Sequence, residues 1–204
     1  MKFSLITVPL NSGKTVRNTF DSVLKQTYSD LEYFLVDGIS RDNTLDLINE
    51  YDSKFNGRLQ WISEKDDGLY DAMNKGFSMA TGDIIGIINS DDVLADPAAI
   101  EKVVKCFERN EMIDAVYADL YYVAQNDISK IVRHWVSGEQ RSFAKGWHPA
   151  HPTFYVKKEI YHKYGAFDLN FKFAADFELM LRLIEKYHIK LHYLPEPLVR
   201  MRLG

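Results

Sequence analysis

The chain has 204 residues, 46% of them apolar and 26% charged, with a formal net charge of −4. That is ordinary globular usage, with enough chain to bury the core of one α/β domain. The acidic balance gives no support to a nucleic-acid partner, and the single cysteine excludes an internal disulfide framework.

Residues 1–9 are apolar but too short for a signal segment. No window approaches the roughly 20 apolar residues of a membrane span, so the chain is expected to be soluble. The first half then alternates two periodicities. A strand is predicted at 3–8, a helix at 15–26, a strand at 32–36 and a helix at 43–54. A strand at 59–63, a helix at 69–80 and a strand at 84–88 follow. The helix from Leu69 places Tyr70, Met73, Phe77 and Ala80 at helical spacing. Asp42 reads as the N-cap of the second helix, and Asp96-Pro97 as the capped opening of a fourth. Within that helix Cys106 lies among Val103, Val104 and Phe107, as a buried inert thiol would; this fits a reducing compartment.

The pattern changes after a strand at 115–122. Strands at 131–136 and 153–156 suggest a smaller mixed region, separated by a long polar loop at 137–150 that carries Trp147 and His148. A helix is predicted at 176–187, with Phe177, Met180, Leu181 and Ile184 on one face, and strands at 191–194 and 198–201 close the chain. Strands alternating with helices point to βαβ units and a mainly parallel sheet.

One stretch stands out: Ile84-Ile85-Gly86-Ile87-Ile88-Asn89-Ser90-Asp91-Asp92. A buried strand ends in two adjacent carboxylates, where open α/β sheets bind ligands. Such a pair is costly unless a cation or ligand meets it, and a divalent metal carrying a diphosphate resolves the conflict. By contrast, Ser12-Gly13-Lys14-Thr15 is not a phosphate loop. Val8 stands where that motif needs its first glycine, and no dinucleotide fingerprint follows the first strand.

Three acidic sites fall at predicted strand ends or helix starts: Asp37, Asp91-Asp92 and Asp176. Singly, Asp37 and Asp42 suit a turn and a cap, Asp92 a turn, and Asp176 a helix cap. Taken in order, the motifs resemble glycosyltransferase family 2, the inverting transferases of GT-A fold. The resemblance rests on Thr7-Val8-Pro9-Leu10-Asn11, on Asp37-Gly38-Ile39-Ser40-Arg41-Asp42-Asn43-Thr44 and on Asn89-Ser90-Asp91-Asp92. It also rests on Asp176 with Leu179 and Arg182. The stretch Asp66-Asp67-Gly68-Leu69-Tyr70-Asp71-Ala72-Met73-Asn74-Lys75-Gly76 with Ala80-Thr81-Gly82-Asp83 resembles a branch of bacterial surface-polysaccharide assembly.

The resemblance implies one Rossmann-like GT-A domain over 1–204, with a central, mainly parallel mixed sheet flanked by helices. Residues 1–92 would form the donor half and 93–204 the acceptor and base half. It implies Mg²⁺ or Mn²⁺ at Asp91, with Asp92 a second candidate, and donor contacts from Thr7, Pro9, Asn11, Asp37, Asp66, Asn74 and Ser90. Asp176 would be the general base, while Trp147, His151 and Arg202 would face the acceptor or the diphosphate. The implied partners are a nucleotide-diphosphate sugar, UDP-linked above others, and a glycan or polyprenyl-linked acceptor. The implied place is the cytoplasm or the inner face of its membrane, with peripheral association. Two positions depart from the family: Asn89 replaces the first acid of D-x-D, and Met73 stands where many members carry Arg. A sugar nucleotidyltransferase is the alternative enzyme, although Pro9-Leu10-Asn11 lacks its glycine-rich loop, and a non-catalytic sugar- or nucleotide-binding module is the third reading.

Overall fold

The structure, a computed structural model, describes residues 1–203. The first half builds strands β1 (Phe3–Thr7), β2 (Leu31–Asp37), β3 (Leu59–Ser63) and β4 (Ile84–Ile87). Helices α1 (Val16–Leu24), α2 (Thr44–Asp52) and α3 (Leu69–Met79) connect them. All pairings among these four strands are parallel, in the order β3-β2-β1-β4. The chain therefore winds outward in both directions from β1 and β4, and the crevice between their carboxyl ends is the topological switch point.

The second half adds β5 (Val93–Leu94), α4 (Ala99–Arg109), β6 (Ala115–Ala124), β7 (Asp127–Trp135), β8 (Tyr155–Lys157), α5 (Lys158–Tyr164), α6 (Ala175–Leu181) and β9 (Leu191–Arg202). It extends the same sheet through β8, β6, β9 and β5, with β7 hairpinned onto β6. β8 runs antiparallel to β4 and to β6, whereas β6 and β9 pair in parallel. Among the described residues no helix is long and apolar enough to cross a membrane.

Continuous apolar strands are explained by burial on both faces. Phe3 and Leu5 of β1 pack with α1, α2 and α4 on one side, while Ile6 packs with α3, α5 and α6 on the other. Gly86, at the centre of β4, is set by a close approach. A Cβ there would lie 2.7 Å from Tyr155 Cδ1 and 3.0 Å from Phe3 Cζ, against rings that are almost fully buried. Gly86→Ala is therefore expected to cost about 1–3 kcal/mol of stability by overpacking. A lower midpoint in denaturant unfolding checks this, and an unchanged midpoint would refute it.

Several boundaries differ from the sequence expectation. The fourth helix starts at Ala99, because Asp96 instead turns the chain by accepting from Ala98 N at 2.7 Å. Asp42 lies one residue before the Asn43 cap position and ties Thr44 N and Gly13 N. Residues 191–194 and 198–201 belong to one strand, whose register shifts at Pro197 let it follow β6 throughout. The helix expected at 176–187 is α-helical only to Leu181 and continues as a π-turn, Arg182–Lys186. Phe177 and Leu181 are partly exposed, while Leu179, Met180, Leu183 and Ile184 are buried. The short α5 was not predicted.

Candidate active site

After β4 the chain turns through Asn89, Ser90, Asp91 and Asp92 at the switch point. The two acids part company there. Asp92 is 1% exposed. It accepts from Asn89 Nδ2 at 2.9 Å through Oδ2 and from Arg202 N at 3.0 Å through Oδ1. Both of its oxygens thus accept hydrogen bonds inside the protein, where the sequence suggests a second metal ligand. Asp91 faces the cavity and is the acid left for a cation. Asn89 also acquires a reason: an acid at that position would set a third carboxylate against Asp92, whereas the amide donates to it.

Burial and then the charge of Asp91 push the Asp92 carboxyl up to about 7. The unfolded chain releases this proton near pH 4, so between about pH 4 and 7 the folded state binds more protons. Stability must therefore fall as pH rises through that window, by at most about 4 kcal/mol for this one group. In metal-free protein, Asp92→Asn should flatten the dependence. Denaturant midpoints at pH 5 and pH 8 measure it, and parallel losses in both proteins would refute the assignment.

The ends of β2 and β3 make a second acidic corner. Asp37 is fully buried. Its Oδ2 accepts from Ser40 N at 3.0 Å and from Ser63 Oγ at 2.6 Å, but its Oδ1 has no partner. A buried carboxylate oxygen without a donor is unusual, and it suits an incoming ring N–H. Asp66 sits beside it: a Cβ on Gly38 would lie 2.6 Å from Asp66 Oδ2. Pro9 O accepts from Gly38 N, and Asn11 ties Ser40 Oγ and Arg41 N. Pro9 and Asn11 thus shape the corner by holding its loop. Ser90 Oγ bonds Ser12 Oγ at 2.7 Å across the switch point.

Asp176 reaches the same crevice from α6. Tyr70 OH donates to its Oδ1 at 3.0 Å, and His151 Nδ1 lies 3.5 Å from its Oδ2. Burial pushes His151 below its usual value, against the opposing pull of Asp176. Burial and then the charge of Asp176 raise the Tyr70 phenol. A cavity of about 310 Å³ brings Asn89, Ser90, Asp91, Tyr70, His151 and Asp176 together, with Met73 also in its wall. A second cavity, of about 180 Å³, shares His151 and Asp176 but is otherwise lined by Trp135, Tyr122, His148 and Phe177 among apolar neighbours. Asp176 therefore stands on the wall between two spaces.

Four expected contact residues have other work. Thr7 is fully buried, donating to Ile88 O and accepting from Tyr33 OH, so it braces β1 against the β4 turn. Asn74 accepts from Phe167 N and donates to Phe167 O, pinning the segment that leads to Asp176. Trp147 donates from Nε1 to Ser137 O and packs on Tyr117 and Phe143, anchoring the 137–150 loop. Arg202 is 7% exposed and donates to Asp91 O and Gln125 O. It holds the Asp91 turn from behind, with its guanidinium directed at these carbonyls. The sequence points to direct donor or acceptor contact at these four positions, and what the structure records there is hydrogen bonding to backbone groups that would otherwise stay unpaired.

Reasoning from sequence missed Tyr70, Trp135 and Tyr122. Tyr70 carried a signal only as one residue of an apolar helical face, and its hydroxyl serves Asp176.

The 3-2-1-4 parallel core, the antiparallel extension and the acids meeting at its switch point define the GT-A type of glycosyltransferase fold. The chain belongs to glycosyl transferase family 2, whose sequence model matches residues 4–172. A curated relative, a "PGL/p-HBAD biosynthesis glycosyltransferase" of Mycobacterium bovis, is 28% identical over 187 residues, covering 88% of this chain and 68% of its own. Staphylococcus aureus TarS 1-349 in complex with UDP-GlcNAc superposes with a TM-score of 0.76 at 20% identity, over 100% of this chain and 59% of that one. The mannosyltransferase PcManGT of Pyrobaculum calidifontis, in complex with GDP-Man and Mn²⁺, gives a TM-score of 0.73 at 17% identity, over 96% and 55%. The chain thus spans less than two thirds of either solved structure.

Proposed function

We propose that this chain is an inverting glycosyltransferase that moves a sugar from a UDP-sugar to a hydroxyl of a glycan or polyprenyl-linked acceptor. Residues 1–92 supply the donor half and 93–204 the acceptor and base half. The observation that carries the reading is the placement of Asp91 and Asp176 on one cavity at the switch point. One acid meets the leaving group, and the other meets the nucleophile.

Asp37 Oδ1 favours a base with a ring N–H. Uracil and guanine each present one, whereas cytosine and adenine would turn a lone pair toward the carboxylate. The TarS complex with UDP-GlcNAc is consistent with that choice.

The residues also fit a divalent cation held jointly with the donor. Among the described residues no cluster of three metal-ligating side chains exists, and Asp91 is the acid free to serve. One carboxylate plus diphosphate oxygens is the usual way proteins hold Mg²⁺, and Mn²⁺ accompanies GDP-Man in PcManGT. Bound there, Mg²⁺ or Mn²⁺ would neutralise charge on the departing diphosphate as a Lewis acid.

Asp176 accepts the proton of the acceptor hydroxyl as its oxygen bonds the anomeric carbon. The bond from that carbon to the diphosphate breaks on the opposite face, so configuration inverts. Tyr70 and His151 hold the carboxylate in place. A role in cell-surface polysaccharide synthesis, at the inner face of the cytoplasmic membrane, belongs to this reading, and the mycobacterial relative is named for a biosynthetic glycosyltransferase.

Thermal unfolding with a panel of nucleotide sugars tests the donor assignment. UDP-sugar with Mn²⁺ at about a hundred times its dissociation constant should stabilise the chain by about 2.7 kcal/mol. A panel in which no nucleotide sugar raises the midpoint, with or without Mn²⁺, would refute the reading.

A further inference from the structure

We propose that the smaller cavity beside Asp176 is the acceptor subsite, and that it takes a neutral sugar ring packed against Tyr122 and Trp135. This deepens the reading of Asp176 as the base and rests on it. Asp176 and His151 line both this cavity and the donor-side one. A ring seated here therefore lies against the base, with the donor space beyond it.

The aromatic wall comes from the β6–β7 hairpin. In its antiparallel register Leu120 pairs with Trp135 and Tyr122 with Arg133. Side chains two residues apart share a sheet face, so Tyr122 and Trp135 are diagonal neighbours on one face. Their ring centroids lie 6.0 Å apart and their planes 28° apart. Arg133 sets its guanidinium 5.8 Å from both centroids, which braces the pair before any ligand arrives. His148 meets Trp135 edge-on at 5.3 Å, and Phe177 meets His148 at 5.6 Å, carrying the aromatic lining across to α6.

The polar groups complete the match. Trp147, the other tryptophan of this region, commits its indole N–H to Ser137 O. Trp135 does not: among the described residues nothing bonds its Nε1 or the Tyr122 hydroxyl, and neither atom is sealed from solvent. Both are groups on which a ligand can take the place of water. The rings of His148 and His151 add further polar atoms to the lining. A pyranose has the same mixed character, with C–H faces for the rings and a rim of hydroxyls for the polar tips. The rival nucleophile is a lipid phosphate. Among the described residues no Lys or Arg lines the cavity, whereas phosphate recognition calls for such cations. A phosphate would also set its charge against Asp176.

Ligand-observed NMR of the full chain with UDP and Mg²⁺ tests this. The probes are the methyl glycosides of glucose, galactose, mannose and N-acetylglucosamine, with butyl phosphate as the rival. At least one glycoside should bind tighter than butyl phosphate. Trp135→Ala and Tyr122→Ala should each weaken that binding about tenfold, while Trp135→Phe, which keeps an aromatic face, should retain most of it. UDP affinity, read in the same samples, should not move in these variants and reports that they are folded. Binding of no glycoside, butyl phosphate binding as tightly as every glycoside or tighter, or glycoside affinity untouched by both alanine variants would overturn the proposal. Glycoside binding in a chain whose Asp176→Asn variant still transfers would overturn only the base reading. Loss of UDP binding in the wild-type chain would instead overturn the donor reading above.

Discussion

Asp176→Asn should retain nucleotide-sugar affinity close to wild type and lose transfer by about 10²- to 10⁴-fold, the usual contribution of a general base. The substitution is nearly isosteric, and the Tyr70 hydroxyl still finds an oxygen to donate to in place of Oδ1. The donor corner at Asp37 is built by other elements and should not register the change. What disappears is an acceptor for the proton on the attacking hydroxyl. Dissociation constants for UDP and single-turnover transfer rates, measured side by side, make the test. Transfer within a few-fold of wild type would remove Asp176 from the mechanism, whereas parallel losses of binding and transfer would assign it to donor binding.

Asp91→Asn should act on the other half. Mn²⁺ should no longer enhance UDP-sugar affinity, and transfer should fall by roughly a hundredfold, equivalent to about 3 kcal/mol of lost charge stabilisation. The turn itself should survive, because Arg202 grips the backbone carbonyl of residue 91 and not its side chain. Uridine without phosphates should bind as before, since Asp37 and the loops around it are untouched. Titration calorimetry with and without Mn²⁺, for uridine and for UDP-sugar, separates these contributions. Metal-enhanced affinity that persists in the variant would place the cation elsewhere. The variant carries a second signature: with the neighbouring charge gone, the Asp92 carboxyl should titrate lower, because Asp91 is second only to burial in raising it.

Much of this site was legible in sequence because its acids end regular elements. An apolar run followed by Asp37, or by Asn89-Ser90-Asp91, announces both a buried strand and a polar group at its carboxyl end. Asp176 was legible from its place at the start of an amphipathic helix together with the family pattern. The roles of Thr7, Asn74 and Arg202 were not legible, because each is decided by a partner far away in the chain. Asn74 meets Phe167, and Arg202 meets Asp91 and Gln125. A polar residue next to a motif looks the same on paper whether it faces a ligand or an unpaired carbonyl.

The same distinction divides the protein as a whole. By itself the sequence determined the βαβ alternation, the four parallel strands and the acids at their ends, since these follow from local periodicity and from the cost of burying charge. Only the tertiary structure decided that Asp92 turns inward while Asp91 faces the cavity, and that Asp176 stands between two spaces. Those outcomes depend on how β6, β7, α6 and β9 converge on the switch point, where residues more than a hundred positions apart compete for the same hydrogen-bonding groups.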